Sequence, residues 1–181
     1  MILLLSGPNL NLLGQREPDV YGRATLEDHV GRARAVAAAH GQQLEHLQSN
    51  REGDLIEAVH GARRRGVGIV INPGAFTHYA WGLHDALAAF EGPVVELHVS
   101  NPNRREPWRH TSVVSPVATG TISGFGGDGY ELAVEAVARL LAAADAADAG
   151  ATGQDAAAAP APAEPTPADP SPADPTSGAP I

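Results

Sequence analysis

Short apolar runs alternating with amphipathic stretches constrain this chain more than any single residue does. Runs at 2–6, 43–48, 67–72, 94–100 and 117–123 read as strands, and stretches at 25–39, 54–64, 78–90 and 128–142 read as helices. Strands separated by helices do not form hairpins; they pair in parallel through right-handed crossovers that cover both faces of the sheet. Glycines such as Gly41, Gly53, Gly66, Gly74 and Gly92 fall between the elements, where turns need them. The pattern predicts an α/β, flavodoxin-like, doubly wound five-stranded parallel sheet with helices on both faces.

From residue 144 onward the composition turns to Ala, Pro, Asp, Thr and Ser, including the run Pro-Ala-Glu-Pro-Thr-Pro-Ala-Asp-Pro-Ser-Pro-Ala-Asp-Pro. Such a segment has too little apolar surface for a core, so a single domain over 1–143 and a disordered acidic Ala/Pro-rich tail over 144–181 are expected. Six of the 21 acidic residues lie in that tail with no basic one, so most of the formal charge of −9 belongs there. The remaining 15 acids nearly balance the 12 basic residues, and no basic stripe with interleaved aromatics suggests nucleic acid as a partner. The opening Met-Ile-Leu-Leu-Leu-Ser-Gly has no basic flank and too short an apolar run for a signal peptide or membrane span, so a cytoplasmic protein without membrane contact is expected.

The chain has no cysteine, and all 12 of its Lys+Arg residues are arginine. Thiolate nucleophiles, cysteine-held metals, Schiff bases, a pyridoxal anchor and a P-loop lysine are thereby excluded. Chemistry must come from His, Tyr, Asp, Glu, Ser and Arg. Three of these stand where they are least expected: Glu96, His98 and Ser100 alternate through the otherwise apolar run Val94-Val95-Glu96-Leu97-His98-Val99-Ser100. Alternation puts them on one face of a strand that a parallel sheet would bury, and a reaction site at the strand's carboxyl end is the natural reason.

The segments that follow the other strands point to the same rim. After the first comes Ser6-Gly7-Pro8-Asn9-Leu10-Asn11, and after the third Asn72-Pro73-Gly74-Ala75-Phe76-Thr77-His78. In doubly wound folds ligands sit beyond the carboxyl ends of the strands. Two other motifs lead elsewhere and are set aside. The G-x-G-x-x-G at 124–129 precedes one helix and then the tail, so no second strand supplies a ribose-binding acid. His78, His84, His98 and Glu96 lack any local zinc-ligand spacing, so no metal is expected.

Taken together, Pro-Asn-Leu-Asn-Leu-Leu-Gly at 8–14, Arg-Glu-Pro-x-x-Tyr-Gly at 16–22, Gln48-Ser49-Asn50-x-Glu52-Gly53, Asn72-Pro73-Gly74-Ala75-x-Thr77-His78, Glu96-x-His98-x-Ser100-Asn101 and Ser115-Pro116-x-Ala118-Thr119-Gly120 resemble type II 3-dehydroquinate dehydratase. The resemblance spans the whole chain except the tail. It implies a hydro-lyase that removes water from 3-dehydroquinate to give 3-dehydroshikimate through an enolate, without metal or cofactor, in a trimer-based homododecamer. The same step serves aromatic biosynthesis or quinate breakdown.

The resemblance also implies roles. Tyr21 matches the base, and Arg16 the loop arginine that pushes it toward tyrosinate. His98 matches the general acid, with Glu96 to orient it, and Asn9 the asparagine that helps stabilise the enolate. Asn72, His78, Asp85 and Arg109 match ligands of substrate hydroxyls, and Ser100 with the backbone of Val99 matches the carboxylate-binding corner. In the family the aspartate comes from a neighbouring subunit. A helix over 78–90 would put His78 and Asp85, seven residues apart, on one face.

The loop 101–108 departs from the family's usual Ile-His-Ala-Arg-Glu-Glu-Phe: Asn103 stands at the histidine position, and prolines stand at 102 and 107. Arg105 aligns with an arginine there but receives no role from the resemblance. His84 and Tyr79 also replace the usual residues. The competing expectation is a non-catalytic oligomeric small-molecule binder on the same scaffold.

Overall fold

The five apolar runs form one sheet because their aliphatic side chains can be buried on both faces at once. In the computed structural model, which describes residues 1–15, 24–63 and 67–155, the strands are β1 (Ile2–Ser6), β2 (Leu44–Gln48), β3 (Gly68–Asn72), β4 (Val94–His98) and β5 (Gly120–Ser123). They pair in parallel in the order β2-β1-β3-β4-β5, a flavodoxin-like arrangement. β1 and β3 are buried at every position, whereas the edge strands β2 and β5 are partly exposed.

Helices α1 (Leu26–Ala39) and α4 (Asp128–Asp155) cover one face, where Val30, Ala33, Tyr130, Val134 and Val137 pack on Ile2, Leu4, Val70, Val95 and Leu97. Helices α2 (Glu52–Arg63) and α3 (Trp81–Ala88) cover the other, where Leu55, Val59, Leu83 and Leu87 pack on Leu3, Leu5, Ile69, Ile71 and Val94. Each fully buried aliphatic side chain stabilises by about 1.5–3 kcal/mol relative to exposure, so the central strands hold the sheet. A capping box starts α1: the Thr25 hydroxyl accepts the Asp28 N–H, and the Asp28 carboxylate accepts the Thr25 N–H.

The structure departs from the sequence expectation at several element ends, β4 among them, which stops at His98 before Ser100. The helix expected from 78 begins only at Trp81, because 74–78 close into a 3₁₀ turn whose last residues turn their side chains to Glu96 of β4 and to the Thr111 carbonyl. His78 and Asp85 therefore lie on separate elements and share no helix face. The strand expected from 117 begins at Gly120, since Pro116 sits in a 3₁₀ turn over Ser115–Val117. α4 runs on to Asp155.

Close approach between the loops after β1 and β3 shapes what comes next. Gly7 donates its N–H to the Asn72 carbonyl at 2.8 Å, and a Cβ at Gly7 would stand 2.3 Å from the Pro73 carbonyl oxygen. Only glycine fits where these two backbones meet.

Candidate active site

The chain leaves β1 toward β2 on one side of the sheet and reaches β4 from β3 on the other, so the loops after β1 and β3 part and leave a crevice. A pocket of about 340 Å³ opens there, over Asn9, Asn72, His98 and Ser100. Its outer wall is the loop between β4 and β5.

Glu96 is fully buried on β4, beside Ile71 of β3 and Thr121 of β5. Its Oε1 accepts from His98 Nε2 at 2.8 Å and from the Thr77 hydroxyl at 2.5 Å. The Ser112 hydroxyl reaches both carboxylate oxygens, at 3.1 and 3.3 Å, and the Ser115 hydroxyl donates to Oε2. Burial pushes the Glu96 carboxyl up, but the bonds from His98, Ser115 and Thr77 outweigh it and hold the group below its ordinary value. An ionised carboxylate can only accept, so it takes the Nε2–H of His98 and leaves Nδ1 as the ring's other working nitrogen. The imidazole itself lines the pocket.

Two asparagines form the floor. Asn9 adopts the left-handed conformation, with φ 65°, and its N–H is held by the Asn50 side-chain oxygen at 2.9 Å. Gln48 braces this contact by donating to Asn50 Oδ1 at 3.2 Å and to the Gly7 carbonyl at 3.3 Å. Asn72 is oriented from both ends of its amide: Oδ1 accepts the Gly74 N–H at 3.3 Å, and Nδ2 donates to the Tyr130 phenol oxygen at 3.2 Å. Tyr130 is fully buried, stacks on His29 with ring centroids 5.3 Å apart, and also hydrogen-bonds Ser6. Burial pushes its phenol up to about 12, which fits a positioning hydroxyl and not a base.

The outer wall carries charge. Arg109 donates through Nε to Glu106 at 2.7 Å and lies 4.0 Å over the Trp108 ring. Trp108 meets His78 edge-on at 5.1 Å, and His78 Nδ1 donates to the Thr111 carbonyl at 2.7 Å, so neutral His78 offers Nε2 as an acceptor. Arg105 also lines the pocket and lies 3.6 Å from Glu106. Two guanidiniums on one wall suit an oxygen-rich, anionic ligand.

Asn9, Asn72, His78, His98, Val99, Ser100 and Arg109 thus line one pocket, with Glu96 directly behind His98. Asp85 is exposed on α3 and does not line it. Tyr21 and Arg16 lie outside the described residues. Sequence reasoning assigned no role to Thr77, Ser112, Ser115, Asn50, Tyr130 or Arg105. Thr77, Asn50 and Ser115 stood inside recognised motifs, and that was the available signal; Ser112 and Tyr130 join the site only through tertiary contact. Among the described residues no group of three His, Cys, Asp or Glu side chains could hold a metal, and no helix is long and apolar enough to cross a membrane.

Comparison with known proteins places this geometry. The family model for dehydroquinase class II matches residues 1–138. A 3-dehydroquinate dehydratase of Corynebacterium glutamicum is 55% identical over 139 residues, covering 77% of this chain and 96% of that protein. One from Bacillus licheniformis is 55% identical over 133 residues, covering 74% and 92%. The crystal structure of a type II dehydroquinase from Propionibacterium acnes superposes with a TM-score of 0.74 at 42% identity, over 76% of this chain and 95% of that one. On the family match, the identity and the shared architecture, this chain belongs to the class II dehydroquinase family.

Proposed function

We propose that the chain removes water from 3-dehydroquinate to give 3-dehydroshikimate by anti elimination, with Tyr21 as base and His98 as acid. The observation that carries this reading is the Glu96–His98 pair at the carboxyl end of β4, facing a pocket floored by asparagines and walled by arginines. Tyr21, as tyrosinate favoured by the Arg16 cation, takes the proton α to the ketone. The electron pair moves into the carbonyl to give an enolate, which Asn9 helps to stabilise through a bound water. The enolate re-forms the ketone as the β C–O bond breaks, and His98 delivers a proton from Nδ1 so that the hydroxyl departs as water. Glu96, through its bond to Nε2, holds the ring in place for this step.

The substrate is held at its edges. The Ser100 hydroxyl and the Val99 backbone take the carboxylate, and Asn72, His78 and Arg109 take the ring hydroxyls. Asp85 is exposed on its own subunit, which fits a role in a neighbour's pocket within a trimer-based homododecamer. The same reading places the enzyme in the cytoplasm, working without cofactor, with the acidic Ala/Pro-rich C-terminal segment outside the catalytic unit. Tyr21→Phe tests it: turnover is lost while 3-dehydroquinate still binds. Unchanged turnover in that variant contradicts Tyr21 as base, and binding without turnover in the unmodified chain favours a non-catalytic binder.

A further inference from the structure

We propose that Thr77, Ser112 and Ser115 are positioning residues, a cradle of three hydroxyls that keeps Glu96 an oriented anion and thereby decides which nitrogen of His98 works on the substrate. The proposal rests on the elimination described above. Its basis is the number and direction of the bonds that converge on one buried carboxylate.

A carboxylate offers about four lone-pair positions. Oε1 of Glu96 receives Thr77 at 2.5 Å, His98 at 2.8 Å and Ser112 at 3.1 Å, while Oε2 receives Ser112 at 3.3 Å and Ser115. The acceptor side of Ser112 is occupied by the N–H groups of Val114 at 3.0 Å and Ser115 at 2.8 Å, so its proton points away from them, toward the Thr77 hydroxyl at 2.7 Å and the carboxylate. The loops that bring these hydroxyls together are tied to each other, since the Val113 N–H donates to the Thr77 carbonyl at 2.7 Å.

Each neighbour of Glu96 can donate to it, and the Thr77 and Ser112 hydroxyls also bond each other at 2.7 Å. A protonated Glu96 would have to donate, so at least one hydroxyl would have to give up its bond to the carboxylate and turn to accept instead. Burial alone would favour the protonated form, and the bonds from His98, Ser115 and Thr77 together reverse the balance. His98 is the one titratable group that bonds Glu96 among the described residues; His78, Arg105, Glu106 and Arg109 line the pocket on its outer wall and make no bond to it. With Glu96 held ionised and saturated, His98 keeps Nε2–H on the carboxylate and presents Nδ1 to the substrate.

The test compares hydroxyl-deleted with hydroxyl-keeping variants of the full chain. Thr77→Val preserves shape and removes the hydroxyl, as Ser115→Ala does with little change in volume; Thr77→Ser and Ser115→Thr keep it. The deleted forms should lose about tenfold or more in kcat with little change in KM, and the acid limb of kcat should move to higher pH by about one unit. Their deficit in Tm should be largest near neutral pH and shrink as pH falls through the carboxylate range, because protonating Glu96 removes the advantage that the hydroxyls confer. The hydroxyl-keeping forms should restore both behaviours. A Tm deficit that is constant with pH, together with an unmoved acid limb, would overturn the proposal. If the unmodified chain does not turn over 3-dehydroquinate, the dehydratase reading fails, and the Tm comparison alone decides the cradle.

Discussion

Asn50 Oδ1 accepts the backbone N–H of Asn9 at 2.9 Å and so holds the one non-glycine residue with positive φ among the described residues. A left-handed asparagine is tolerated but not preferred, and persists where its surroundings over-determine it. Asn50→Ala should release Asn9, lower kcat/KM by about tenfold or more, and cost about 1 kcal/mol of stability. Steady-state kinetics and denaturant unfolding of the variant check both figures. Wild-type kinetics would show that the loop after β1 orders itself.

Tyr130 predicts how stability behaves at alkaline pH. Its phenol is pushed up to about 12 by burial, against about 10 in the unfolded chain. Below pH 10 both states are protonated and the stability from this group is fully present. Between about 10 and 12 the unfolded chain gives up the proton first, so about 3 kcal/mol is lost as pH rises through that window. Tyr130→Phe should remove that slope and, by leaving the Asn72 amide without its acceptor, raise KM. Equal alkaline slopes in the two proteins would contradict the buried-phenol account.

Asp85 predicts complementation between subunits. Asp85→Asn and Tyr21→Phe chains, each defective alone, should regain activity when unfolded together and reassembled, because some mixed sites combine an intact Tyr21 with an intact neighbouring Asp85. Random mixing in equal amounts should restore about one quarter of wild-type activity. Absence of recovery in mixed oligomers of normal size would place Asp85 outside the neighbour's site.

The fold was legible because its central strands are uniformly buried: Ile2–Ser6 and Gly68–Asn72 are buried at every position, and such runs have few other uses. The start of α3 was not. His78 looks like the first residue of a helix in sequence, but its side chain and that of Thr77 before it are engaged by the Thr111 carbonyl and Glu96, which only the fold brings near. The same contrast holds at the site. Glu96 and His98 stood out because two polar residues interrupt an apolar alternation, and the short spacing that revealed them also puts them in contact at 2.8 Å. Tyr130, by contrast, reads as an ordinary core aromatic of a helix, and its bond to Asn72 spans 58 residues of chain. Ser112 carries no periodic signal; it matters because a loop between β4 and β5 folds back over a carboxylate 16 residues earlier.

The most direct test of the account is turnover itself. Purified, chelator-treated full-length protein is mixed with 3-dehydroquinate, and the absorbance of the conjugated enone of 3-dehydroshikimate is followed, with Glu96→Gln alongside. The account predicts steady turnover that the chelator does not touch, and a fall in kcat of about 100-fold or more in the variant, whose neutral amide no longer holds His98 Nε2–H as the carboxylate does. No enone from correctly assembled protein, or full activity in Glu96→Gln, would contradict it.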